Sequence, residues 1–530
     1  MDTRVEQRMR HMSGTIRAKP DWMKKLNDVE TVAEWSAEAK SKELTDVEFR
    51  YVLDELQYYS SLHIPGSSIR LSATEGVWIS DSLIDAQTTN ALKDYAAVLA
   101  SVPSRQKDWH PKDRARVLNL IDPSLFPLIY GCSKLCLQTT SSPQAALNPA
   151  VPGEFPGSIE KWSEILGELG YYVPKAGGAW WDWSFSKEFC WLPSEFRVDD
   201  NGAVTIESYI NNLHPVKHAA FYPIIASVFS QFIPLLEQVV TDLVHPRQPR
   251  VEPGDYEYKS DELEPEGVNY WEEEYIEWRS RATFVPPQPE PFVAPERPVK
   301  PYSLCDRRLQ AIVRMSNIEL TDKRSIYGGN DWKVAGLDNE RIIATGIFFY
   351  DVANITRRSL QFREALHGWD FVAENFDFDS VIRVYGLSKD DARNDDYSVS
   401  QELGDVEIKD GRCVVFPNIL QHKMPELRLV DRTKPGHCKI LVSYFVDPTR
   451  RIPSTEIVPP QQQEWCFEDV LEAEPFRSLP SLVIDGIIDK VDYPISLREA
   501  KRVRLQVRQD ARTDKKINHE LFEPSFFFSF

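Results

Sequence analysis

Apolar positions along the chain change period several times. Thr45, followed three residues on by Glu48, has the form of a capping box and predicts a helix through Leu56. Phe221, Ile224, Ile225, Val228, Phe229, Phe232, Leu236 and Val239 recur at the i, i+3, i+4, i+7 spacing of one helix face, and predict a long helix with a core-facing stripe. Elsewhere strand signals take over. Residues 195–198 and 204–209 flank Asp199, Asp200, Asn201 and Gly202, a hairpin turn signal. The runs 341–350, 411–417 and 437–446 are β-prone and separated by turn residues, which predicts a closed or double-sheet β architecture. On the last run Cys438, Ile440, Val442 and Tyr444 share a face, because strand side chains alternate. Ser496 and Glu499 form a second capping box, opening a charged helix to about residue 512.

These signals divide the chain into five parts. Residues 1–40 read as a polar N-terminal extension and 41–244 as a mixed α/β part packing on the core. Residues 245–302 hold 11 of the 37 prolines and an acid-rich run from Glu252 to Glu277. Such a stretch buries too little surface to offset chain entropy, so it reads as an insertion or linker, touching the surface through Tyr270, Trp271, Tyr275 and Trp278. Residues 303–460 read as the β-rich functional core, and 461–530 as a helical part with an aromatic tail.

Composition narrows the function classes. A formal charge of -19 over 530 residues repels nucleic acid and anionic lipid. The nearest basic group, Lys501, Arg502 and Arg504, reads as a solvated helix face. Seven scattered cysteines argue against a disulfide framework. Cys132 and Cys136 have half the spacing of a zinc site, with no second pair to complete it, so they read as core residues. The apolar stretch 219–240 contains Pro223, Pro234, Ser227, Ser230, Gln231 and Glu237, a mixture that a bilayer tolerates poorly. The N-terminus lacks an apolar leader segment, and the cytoplasm is the expected location.

The core carries the candidate chemistry. Residues 414–422 form a strand running into His422, and a turn-rich stretch then leads to the strand 437–446. A non-haem Fe(II) oxygenase needs two His and one carboxylate on one face of the metal, with positions open for 2-oxoglutarate and oxygen. In the jelly-roll version the first His and the carboxylate stand two residues apart, and the second His lies near the end of a later strand. A basic residue on the next strand pairs with the keto acid, a role that suits the arginine fork.

From about residue 45 to 510 the chain resembles a fungal family of large proteins of unknown function, whose C-terminal half is related to 2-oxoglutarate/Fe(II) oxygenases. The resemblance rests on the words at 108–111, 209–215, 339–345, 416–422 and 433–437, continued by Asp447-Pro448 and 459–462. It implies an α+β fold: a double-stranded β-helix (jelly-roll) core with a helical N-terminal part, the Pro/acidic insertion and a C-terminal helix. It also implies a ligand set, and this chain departs from it. Where the family reads Trp-His-x-Glu-Gly, the chain has Trp332, Lys333, Val334, Ala335 and Gly336. Where the family reads Gly-His-Arg-Lys, it has Gly436, His437, Cys438 and Lys439. Of the expected metal and keto-acid residues only His422 remains.

The expected outcome is a degenerate oxygenase-like protein with no cofactor, acting as a binding or scaffold protein. A small molecule or anion is the expected occupant of the pocket, and no nucleic-acid or membrane partner is expected. Fe(II) and 2-oxoglutarate enter only if Asp331, Asp338, Glu340 or Lys439 rescues the site. The alternative is an altered enzyme of secondary metabolism, with Lys333 and His422 as an acid/base pair and Cys438 as nucleophile. A third possibility places function elsewhere, at His214 and His218 or in the Glu-rich linker.

Overall fold

The computed structural model describes residues 2–64, 66–104, 106–111, 113, 115–136, 142–147, 159–168, 170–172, 184–269, 272–298, 301–365, 378–386, 400–488, 490–491 and 493–522. Trp180, Trp181, Trp183, Tyr270, Trp271 and the aromatic tail at 523–530 lie outside the described residues.

The architecture is mixed α/β with antiparallel sheets. The largest sheet runs in the order Arg70–Leu71, Trp78–Ser80, Cys413–Pro417, Ile342–Ala353, Gly436–Val446, Arg308–Leu320, Val117–Ile121 and Asp108–Trp109. Ser194–Val198 also pairs with Arg308–Leu320, and Val204–Ile206 completes the hairpin predicted around residues 199–202. Opposite this sheet stands a three-stranded one, Ser400–Glu407, Ser359–Ala365 and Gln421–Lys423, with the short pair Ile326–Tyr327 and Leu427–Arg428 beside it.

Two cores lie on the two faces of the large sheet, and strand alternation sorts residues between them. Phe445 joins Phe196, Phe348 and the helix Tyr222–Val244 on one face, where Phe229 stacks on Phe196 at 4.2 Å. Gly346 lets this helix approach closely: a Cβ there would meet the rings of Phe232 and Phe445 at 3.0 Å. Ala219–Val244 is long and apolar enough to cross a membrane by length and composition, and half of its most apolar window is buried within the fold. Tyr444, Val442 and Cys438 point the other way, into a second core shared with Phe362, Leu360 and Val406 of the smaller sheet. Phe362 and Phe416 meet edge to face at 4.9 Å across the gap.

Arg308–Leu320, the longest strand, is absent from the sequence-based expectation. Nearly every residue on it is buried, on both faces. Two-sided burial blurs the alternation that marks a strand: Ala311, Ile312 and Val313 are consecutive and apolar, while the polar Gln310, Ser316 and Asn317 are buried as well.

The N-terminal extension is a packed helical layer. Val5, Met9, Met12 and Ile16 of Arg4–Arg17 face Val52 and Leu56 of Asp46–Ser61, whose capping box at Thr45 and Glu48 is formed. Arg250 ties this layer down: its side chain donates to Glu55 at 2.9 Å, reaches Glu6 at 3.5 Å and pairs with Glu75. The acidic insertion also acquires structure. Glu257–Lys259 pairs with Thr283–Val285, and Glu273–Arg281 buries Trp278, whose indole N–H donates to the Glu262 carbonyl at 3.0 Å.

Candidate functional site

A cavity of about 740 Å³ opens beside the second core. That is within the size range of small-molecule sites. The segment from Gly329 to Leu337 forms one wall. Gly329 turns the chain with φ +80°, and a Cβ there would collide with the Met424 carbonyl at 2.7 Å. The turn brings Asn330 alongside Met424, where the Asn330 N–H donates to the Met424 carbonyl at 3.0 Å and its side chain accepts from the Met424 N–H at 2.9 Å. Asn418 then grips Ala335, accepting from its N–H at 3.0 Å and donating to its carbonyl at 2.8 Å.

Between these two clamps, Lys333 and His422 form an antiparallel bridge. The Lys333 N–H donates to the His422 carbonyl at 3.2 Å, and the His422 N–H donates to the Lys333 carbonyl at 2.9 Å. Residues opposed in this way carry their side chains close together. Lys333 and Ala335 line the cavity, while His422 is buried behind it with its ring edge-to-face on Phe416 at 5.0 Å. Burial first, and the Lys333 charge second, push the imidazole down to about 3. His422 is therefore neutral at ordinary pH, and its Nδ1 is sealed from solvent with no hydrogen-bond partner.

Cys438 stands apart from this pair. It is fully buried in the second core, opposite Ile318 and Val352, and does not line the cavity. Burial pushes its thiol up to about 12, which leaves no thiolate for attack or ligation. Lys439 lies on the opposite sheet face and pairs with Asp351 at 2.7 Å, next to His437 at 3.0 Å.

These residues do not fit an Fe(II) centre with 2-oxoglutarate. Among the described residues, no group of three His, Cys, Asp or Glu gathers where a metal would sit. Asp338 accepts from the Ser184 hydroxyl at 2.6 Å, and Asp331 is exposed at the cavity rim. Glu340 lines the cavity but is committed to backbone: it accepts from the Trp191 N–H at 2.7 Å and the Leu337 N–H at 2.6 Å. Burial raises its carboxyl to about 7 against the pull of those two donors. The His214 and His218 pair does not form a metal site either. His214 Nδ1 accepts from the Val216 and Lys217 N–H groups at 3.2 Å, and His218 Nδ1 lies 3.4 Å from the Tyr95 hydroxyl.

The cavity's own cation comes from the strand that sequence reasoning missed. Arg314, opposite Val442, lines the cavity together with Tyr444, two residues along from Val442 on the same strand face. Its Nε is sealed from solvent and unpartnered. At the mouth, the Trp332 ring carries the Arg363 guanidinium at 4.7 Å and the Lys423 ammonium at 5.8 Å. Arg363 also donates to Gln421 at 2.6 Å. The far wall is the C-terminal helix Leu497–Phe522. Arg504 binds Asp108 at 2.9 Å and Asp122 at 3.2 Å, and Arg508 binds Asp122 at 2.8 Å.

No curated protein matches the chain. Among solved structures, a structure described as "Crystal structure of IDO from Bacillus thuringiensis" is similar at 8% identity and a TM-score of 0.17. The match covers 26% of this chain and 45% of that one, so the chain spans less than half of that structure. A second, "Selenomethionine labeled Fe(II)/(alpha)ketoglutarate-dependent dioxygenase TqaL", is similar at 9% identity and a TM-score of 0.22, covering 71% of this chain and 96% of that one. Residues 46–469, most of the chain, match one family, and the chain belongs to it: "Protein of unknown function (DUF4246)".

Proposed function

We propose that this protein is a degenerate oxygenase of the jelly-roll type, and that it works as a binding or scaffold protein holding a small organic anion in its cavity. The Lys333–His422 bridge carries the reading. It sets an alkyl ammonium beside the one imidazole that the resemblance assigns to the metal. At about 4 Å and an effective dielectric near 20, two unit charges repel by roughly 4 kcal/mol, and a dication doubles that. An anion gains from the same field, which Arg314 reinforces in a molecule whose overall charge is -19. The facing of the large sheet and the three-stranded sheet across one core supports the jelly-roll assignment. In this reading residues 303–460 form the oxygenase-like core, and 245–302 are an insertion on it.

The test is metal analysis of the purified protein beside a revertant carrying Lys333→His and Ala335→Glu, the two substituted positions that line the cavity. The natural chain is expected to bind no stoichiometric Fe(II), and the revertant to gain it. Iron bound one-to-one by the natural chain and lost on His422→Ala overturns the proposal. Iron bound by neither form removes the assignment of these positions to a former metal site.

A further inference from the structure

The cavity wall is more aromatic than a small aliphatic ion requires. Trp191 and Tyr444 line it side by side, ring centroids 5.7 Å apart and tilted by 37°. Trp191 is half-buried, so part of its indole is left to the cavity. Arg314 adjoins this wall, because it opposes Val442, the next residue to Tyr444 on the same strand face.

Arg314 is incompletely partnered. Asp122 already serves Arg504 and Arg508, and Asp108 serves Arg504. Arg314, Arg504 and Arg508 therefore share these two carboxylates. The cavity's other carboxylates lie elsewhere on its wall: Asp113 contacts His110, Asp510 accepts from the Ser186 hydroxyl at 2.7 Å, Glu340 accepts from two backbone N–H groups, and Asp331 stands exposed at the rim. Arg314 also keeps a sealed, unpartnered Nε, so its field is not neutralised on that side. A guanidinium in this state favours a carboxylate, through charge-assisted hydrogen bonds. An aromatic wall beside this incompletely partnered cation defines a ligand with a flat ring and one acid group.

We propose that the cavity takes an aromatic carboxylic acid, its ring system laid along Trp191 and Tyr444 and its carboxylate against Arg314. This deepens the anion-binding reading and rests on it.

Isothermal titration of the full chain with 2-naphthoate, octanoate, glutarate and 2-naphthalenemethanol tests it. One-to-one binding of 2-naphthoate is expected, about tenfold or more tighter than octanoate, glutarate or the neutral alcohol. Arg314→Met should weaken naphthoate about tenfold or more, and Trp191→Leu should remove its advantage over octanoate while sparing octanoate itself. Octanoate or glutarate binding as tightly as naphthoate overturns the aromatic assignment and leaves the anion site standing. Equal binding of the neutral alcohol overturns the role of Arg314. If none of the three acids binds the natural chain, the anion reading falls and takes this one with it. Should Arg314→Met fail to fold, Tyr444→Leu serves in its place: it keeps the cation and removes one ring, and must cost naphthoate more than octanoate.

Discussion

His422 sits where an imidazole is expensive to charge, and this has a thermodynamic signature. Its native pKa of about 3 lies below the ordinary histidine value of 6.5. Between those values the unfolded chain binds a proton that the native state refuses. The group's contribution to stability is complete above pH 6.5 and is lost as pH falls through that window. One proton corresponds to about 1.4 kcal/mol per pH unit. Urea denaturation of the natural chain should therefore lose stability more steeply between pH 6.5 and 5 than that of His422→Leu. Identical slopes would contradict the buried, neutral imidazole. Lys333→Met should raise the His422 pKa, read from its ring proton shifts, because it removes the second-largest cause of the depression. Residue identities told part of this in advance. Lys333, Ala335 and Cys438 are visible departures from the family words, and a small apolar core residue is the simpler sequence reading of Cys438; that Tyr444, on the same strand face, reaches the cavity is visible only in the fold.

At the scale of elements, the segment Gly329–Leu337 owes its path to one backbone geometry. Gly329 combines φ +80° with a would-be Cβ 2.7 Å from the Met424 carbonyl. Gly329→Ala therefore meets both a strained dihedral and a clash, and should cost about 2 kcal/mol or more, read as a lower denaturation midpoint. An unchanged midpoint would mean that this turn does not fix the bridge to His422. The C-terminal helix is held by Arg504 and Arg508 on Asp108 and Asp122, with Arg504 and Asp122 almost fully buried. Arg504→Met takes the arginine from Asp108, leaves the buried Asp122 with Arg508 alone and should cost about 3 kcal/mol. Hydrogen exchange should then quicken along 497–511 while Ile342–Ala353 stays protected; equal protection in both forms counts against the latch. Elements with one exposed face were legible: the 195–206 hairpin, the Tyr222–Val244 helix and the capped helices follow from period and turn chemistry. Arg308–Leu320 was not, because burial on both sides removes the periodic signal, and Arg314 went unseen with it.

Over the whole molecule, charge is concentrated in a few buried joints. Arg250 joins Glu6, Glu55 and Glu75 between the N-terminal helices and the chain that follows the long helix. Burial alone would raise the Glu75 carboxyl, but Arg250, Arg247 and Arg17 outweigh it and hold it well below the usual range. Arg250→Met leaves Glu6 and Glu55 without their cation beside Glu75, which keeps Arg17 and Arg247, at a cost of about 3–5 kcal/mol. Limited proteolysis should then cut first within residues 4–61, and a cleavage pattern matching the natural chain would argue against the joint.

The strand Arg308–Leu320 has a practical corollary. One of its edges meets Gly436–Val446, and the other is shared end to end by Ser194–Val198 and Val117–Ile121. A fragment begun near residue 303, to isolate the C-terminal β-rich part, would strip that second edge and bare a row of backbone donors and acceptors to other chains. Such a truncation should self-associate, so the polypeptide is best handled intact.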